Sequence, residues 1–181
     1  MIKNKLSVRE VQQSDIDLIV NYWLSADDAF LTGMGVDLTK IPSREEMVTL
    51  LSAQLNQSYK EKKSYCIIWL IDGKPAGHSN VNKIQFGEEA CMHLHLWKAD
   101  VRQKGMGAIF VKMTLPYFFK NLHLKKLYCE PYAVNPAPNK TVEKIGFTFI
   151  REHLCIPGNF NFLQQTKLWE LADTDYKKLL P

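Results

Sequence analysis

Apolar and polar positions along this chain change their period repeatedly, and each change marks an element. Residues 6–11, Leu6-Ser7-Val8-Arg9-Glu10-Val11, alternate and predict a first strand. Ser14-Asp15-Ile16-Asp17 offers an N-cap and early acids for a helix through about Leu24. After Pro42, Ser43-Arg44-Glu45-Glu46 fits the Ser-x-x-Glu capping box. It predicts a helix with Met47, Leu50, Leu51 and Leu55 on one side, ending among the lysines near Lys60. The Thr32-Gly33-Met34-Gly35 stretch between the two helices reads as a loop. Residues 64–71 are β-branched and aromatic, and Asp72-Gly73-Lys74 turns that strand into another over about 76–86. Gly87-Glu88-Glu89 then leads to Cys91-Met92-His93-Leu94-His95-Leu96-Trp97, a strict period-2 strand. An apolar helix follows Gly105, and Pro116 is expected to kink or end it near Met113. Residues 126–132 form the next strand. Asn135-Pro136 provides an N-cap and N1 pair for a short helix that stops at Gly146. Residues 147–154 and 165–171 close the sheet. The order β-α-α-β-β-β-α-β-α-β-β predicts an α/β (α+β) fold, a mixed sheet of about seven strands with helices on both faces.

Composition changes this picture little. At 181 residues and 46% hydrophobic, the chain can bury one good core, and a single domain over 1–181 is expected. No apolar run is long enough to span a bilayer, and Met1-Ile2-Lys3-Asn4-Lys5 lacks the core of a signal peptide, so a cytoplasmic protein is expected. Cys66, Cys91, Cys129 and Cys155 are widely spread and read as free thiols. A formal charge of +4 with no basic block suggests neither nucleic acid nor a membrane as partner.

Chemistry enters at Val101-Arg102-Gln103-Lys104-Gly105-Met106-Gly107-Ala108, a basic, glycine-punctuated turn running into a helix. Two missing Cβ atoms, the orphan N–H groups of a first helical turn, its dipole, and the charges of Arg102 and Lys104 together suit a phosphate or pyrophosphate. Cys91, His93, His95 and Trp97 share one strand face. Imidazoles titrate near neutral pH, so His93 and His95 are candidate bases; a packed sheet face explains them equally well. Tyr128, Glu130 and Tyr132 form a second same-face set, and His78, Asn80 and Asn82 a third. His123 and His153 read as surface or helix-end residues. A metal-binding alternative stays open, with Cys91, His93 and His95 aimed at one ion.

The element order together with Arg102-x-x-Gly105-x-Gly107 and the Asn135…Lys144-Ile145-Gly146-Phe147 segment resembles the GNAT superfamily of acyl-CoA-dependent N-acyltransferases, most closely in its ribosomal-protein alanine acetyltransferase-like branch. The resemblance covers roughly residues 6–171 and is firmest over 90–150. It implies a mostly antiparallel sheet and acetyl-CoA as co-substrate with no metal. It also implies an acetyltransferase moving an acetyl group to a primary amine by direct attack, with a non-catalytic acyl-CoA-binding module as the alternative. The amides from Gln103 to Ala108, with Arg102, Lys104, Gly105, Met106 and Gly107, would hold the pyrophosphate. The pantetheine would follow the fourth strand near Trp97 and Lys98, with Asn135, Asn139 or Lys140 reaching the cofactor. By the same likeness Glu89 is a further catalytic candidate, unless it lies in the preceding turn. Many relatives place a proton-donating Tyr where this chain has Val142, so Tyr132 or Tyr128 is a candidate replacement acid, and Glu130 a candidate for attracting a cationic acceptor. A backbone N–H of the fourth strand would steady the oxyanion. The acceptor, a small amine or a protein N-terminus, and a homodimer through the last strands both stay open.

Overall fold

The computed structural model describes residues 5–97 and 105–180. Seven strands form one sheet in the order β1-β2-β3-β4-β5-β7-β6. They are β1 (Leu6–Glu10), β2 (Tyr65–Ile71), β3 (Lys74–Gln85), β4 (Glu89–Leu96), β5 (Lys126–Cys129), β6 (Thr148–Cys155) and β7 (Gln164–Ala172). Only β4 and β5 pair in parallel; every other neighbouring pair is antiparallel. The helices are α1 (Ile16–Leu24), α2 (Asp28–Gly33), α3 (Arg44–Leu55), α4 (Met106–Asn121), α5 (Pro136–Ile145) and α6 (Asp173–Lys178).

The two sheet faces are dressed differently. One core joins Ile67, Trp69, Val81, Met92 and Leu127 of the sheet to Phe110, Val111, Leu115 and Phe118 of α4, Val142 and Ile145 of α5, and Tyr176 of α6. On the opposite face, Cys66, Ile68 and Leu70 of β2 pack against Ile19 of α1, with Trp23 and Leu51 alongside. No helix among the described residues is long and apolar enough to cross a membrane.

Several expectations needed correction. Helix α4 continues through Pro116 to Asn121 instead of ending near Met113. An interior proline costs about 3 kcal/mol, but Phe110, Val111, Leu115, Phe118 and Phe119 are all buried, each contributing roughly 1.5–3 kcal/mol. Trp69 stacks on Phe110 and donates its indole N–H to Thr114 Oγ1 at 3.0 Å, fixing the helix to β2 on the turn before the proline. Helix α3 keeps its capping box, with Ser43 Oγ accepting from Glu46 N–H, but ends at Leu55, and Leu50 is 59% exposed. Part of the stretch between α1 and α3 is helical as α2, capped by Asp27, and α6 was not anticipated. Ser14 is no cap: buried Asp15 accepts from Gln12 N–H and pairs with Arg9. Strand β5 ends at Cys129, three residues early, and β4 starts at Glu89.

Candidate functional site

Strand β4 outlasts β5. Their pairing stops at Met92–Cys129, while β4 continues to Leu96, so the sheet opens there. Trp97 N–H bonds back to Ala76 in β3. Main-chain groups alternate between the two edges of an antiparallel strand, so the N–H and C=O of Leu94 point into the gap that β5 leaves. A cleft of about 400 Å³ fills this opening. Ile19, Trp23 and Leu51 form one wall, Pro157 to Asn161 another, and the exit of β5 from Glu130 to Tyr132 a third.

Gly35 ties these walls together. Its carbonyl accepts from the side-chain amides of both Asn161 and Gln164 at 2.8 Å, and its φ of +83° is a conformation that glycine adopts without strain. Sequence reasoning left this loop unplaced, because its partners lie more than 120 residues away.

The floor of the cleft is a cross-strand array. His78 pairs in register with His95, and Asn80 with His93. These side chains share one face, as their alternation predicted, and all four line the cleft. His78 Nδ1 accepts from Trp97 Nε1 at 2.8 Å and its ring stacks on His95 at 4.7 Å. His95 Nδ1 lies 3.3 Å from Tyr22 OH. His93 differs: its Nε2 is shielded from water and has no hydrogen-bond partner. Burial pushes the His93 imidazole down to about 4, helped by the charge of Lys83, and His78 down to about 3. His95 is lowered too, first by burial and then by its two neighbours. All three rings are therefore neutral at pH 7, unlike a histidine poised near its ordinary value.

The other catalytic candidates divide. Tyr132 lines the cleft with its ring edge-on to Phe162. Glu130 lines it as well, but its carboxylate is held by His153 Nε2 at 2.5 Å and approached by Thr166 Oγ1 at 3.4 Å. His153 is thus a half-buried strand residue of β6, not the surface group its sequence context suggested. Glu89 is the first residue of β4, bonded to Gln85 at the end away from the cleft. Val142 is fully buried in the core.

Of the cofactor candidates, Lys98, Arg102, Gln103 and Lys104 lie outside the described residues. Gly105 is the N-cap of α4 in a left-handed conformation, φ +73°, and having no side chain it leaves the amides of the first turn without a cap of its own. That helix start abuts α5, since a Cβ on Gly107 would sit 3.8 Å from Thr141 Oγ1. The first turn of α5 in turn borders the cleft through Asn135 and Pro138. Asn135 caps α5 by accepting from Ala137 N–H. Asn139 is buried and fully engaged: it donates to the carbonyls of Tyr132 and Asn135 and accepts from Trp169 Nε1. Lys140 is exposed. As for the metal alternative, burial drives the Cys91 thiol up to about 12, and among the described residues Cys91, His93 and His95 do not gather their ligand atoms around one point.

Helix α5 therefore links the start of α4 to a cleft that opens beside the free edge of β4 and is floored by neutral imidazoles. The same architecture occurs in solved structures. A spermidine N-acetyltransferase from Vibrio cholerae, in complex with CoA and spermine, aligns over 95% of this chain and 98% of its own at 16% identity, TM-score 0.76. RimL, a ribosomal L7/L12 alpha-N-protein acetyltransferase in complex with coenzyme A, aligns over 97% and 98% at 12% identity, TM-score 0.75. An uncharacterized protein from Bacillus halodurans aligns over 98% and 89% at 15% identity, TM-score 0.71. At such identities the likeness is one of fold. No curated protein sequence matches the chain. The acetyltransferase (GNAT) domain family, however, matches residues 5–148, most of the chain, including β4, α4 and the cleft floor but not the wall from Pro157 to Asn161. With strand edge, helix start and family profile in agreement, this chain belongs to the GNAT acetyltransferases, enzymes that draw an acetyl group from acetyl-CoA and place it on an amine.

Proposed function

We propose that the protein, working as a single domain in the cytoplasm, acetylates an α-amino group presented by a peptide or protein N-terminus. The observation that carries this reading is the chemistry of the cleft. Glu130 is the one carboxylate among its described lining residues, and it is already bonded to His153. Most of the remaining wall is apolar, with Ile19, Trp23, Met34, Val36, Leu51 and Phe160. A polyamine carrying several ammonium groups would leave them desolvated there. An N-terminal residue with an apolar side chain would fit.

The protonation state of His93 supports the same acceptor. Among the described residues its Nε2 is a buried cleft atom without a hydrogen-bond partner, as is Asn82 Oδ1, and the His93 ring is neutral. A base this weak relieves an α-ammonium, with a pKa of about 8, far more easily than a lysine-like one of about 10.4. In this reading His93, directly or through a water, takes the proton of the attacking amine, while His95 holds its place through Tyr22. The amides of Met106, Gly107 and Ala108 bind the pyrophosphate, the Leu94 edge bonds the pantetheine, and a β4 amide meets the oxyanion. Tyr132, which lines the cleft, returns a proton to the leaving thiolate in this reading. Self-association through edge strand β6, where Phe149, Ile150 and Leu154 are exposed, belongs to this proposal. A dodecameric form of the Vibrio cholerae enzyme offers a precedent among the structural relatives.

The test is CoA-thiol release with acetyl-CoA and two acceptor panels, peptides with apolar N-terminal residues and spermidine. Peptides should win by at least tenfold in kcat/KM. His93→Ala should lower kcat while leaving the KM for acetyl-CoA nearly unchanged. Preferred turnover of spermidine, or wild-type rates for His93→Ala from pH 6 to 9, would overturn the assignment.

A further inference from the structure

Outside the acetyl-transfer path, one cluster of side chains has the makings of a metal site. His153 and Cys155 are two residues apart on β6 and so share a face. Glu130 reaches the same point from the end of β5, across β7. A carboxylate oxygen of Glu130, a ring nitrogen of His153 and Sγ of Cys155 all lie within 4.8 Å of one another. Thr166 of β7, opposite His153 in register, stands behind them, its Oγ1 3.2 Å from Cys155 Sγ and 3.4 Å from Glu130 Oε1.

We infer that Glu130, His153 and Cys155 form a three-ligand site for Zn²⁺, with a fourth position open and Thr166 orienting the thiolate and the carboxylate. The ligand set selects the ion. A thiolate with an imidazole excludes hard cations such as Mg²⁺ and Ca²⁺, and one nitrogen, one sulfur and one oxygen suit a tetrahedral Zn²⁺. A carboxylate and a thiolate together offset its two positive charges. The fit needs only side-chain rotation. Tetrahedral coordination at ordinary zinc–ligand distances puts donor atoms roughly 3.3–3.7 Å apart. The 2.5 Å Glu130–His153 contact must open and Cys155 must close in. The Glu130–His153 hydrogen bond already holds two of the three ligands side by side. The acetyl transfer itself needs no metal; this ion would be a ligand of a separate site that shares only Glu130 with the cleft.

Co²⁺ titration of the tag-free, chelator-stripped protein tests this, followed by competition with Zn²⁺. One equivalent of Co²⁺ should bring up a thiolate-to-cobalt charge-transfer band that Zn²⁺ displaces. Cys66, Cys91 and Cys129 are buried, and the Cys155→Ser variant shows whether any of them supplies the band instead. Cys155→Ser should abolish the band, and His153→Gln and Glu130→Gln should each weaken Zn²⁺ by at least tenfold, in line with the loss of even an outer-shell partner. Absence of the band in the wild-type protein, its persistence in Cys155→Ser, or unchanged Zn²⁺ affinity in His153→Gln defeats the assignment. None of these results depends on which amine the enzyme acetylates.

Discussion

Acid should destabilise this protein well before its carboxylates protonate, and His78 makes the effect measurable. The ring is 3% exposed, bonded to Trp97 and stacked on His95. Burial, with a smaller push from His93, lowers it from 6.5 to about 3. Its folded-state pKa lies below the unfolded one, so above pH 6.5 both states are neutral and the group is indifferent to pH. Between pH 6.5 and about 3 the unfolded chain takes up a proton that the native state refuses, and stability falls as pH falls. At pH 5 the linkage relation gives a loss of about 2 kcal/mol for this one ring. Asp37, Glu46 and Glu61 are lowered by their hydrogen bonds and remain ionised there, so they do not imitate the effect. The assay is urea unfolding at pH 7.5 and pH 5.0, for the wild type and for His78→Gln. The variant should be weaker at pH 7.5, yet lose about 2 kcal/mol less than the wild type on acidification. Equal losses in the two proteins, or an NMR titration placing His78 near 6.5, would refute the reasoning.

Two further outcomes follow from the helix starts. Gly105→Val forces a branched residue to φ +73°, which costs roughly 1–2 kcal/mol or tilts the first turn of α4. Acetyl-CoA affinity by calorimetry should drop about tenfold, and full affinity would remove the pyrophosphate from Met106–Ala108. Asn139→Ala strips two carbonyls and the Trp169 indole of their partner in the interior and should cost about 2–4 kcal/mol of unfolding free energy. If stability holds and only CoA binding is lost, Asn139 is a cofactor ligand and its structural role is wrong.

Local devices were legible in the residues themselves. Seven strands in the right places, the Ser43–Glu46 capping box, the Asn135-Pro136 start and Gly146 end of α5, and the shared face of His93 and His95 all emerged from spacing. Each is decided within a few residues, by strand period, helix period or a cap, so a linear pattern carries it. Tertiary structure decided the rest. Pro116 stays inside α4 because a buried face outweighs a local penalty that the chain announces plainly. The three imidazoles are neutral because burial sets their pKa values, and the spacing that placed them on one face is silent about their depth. His153 looked like a surface residue because its partner, Glu130, lies just past the end of another strand, 23 positions away, and the cleft walls close because Gly35 finds Asn161 and Gln164. Periodicity records which side of an element a residue faces; what it meets there, and in which protonation state, depends on elements brought alongside only by folding.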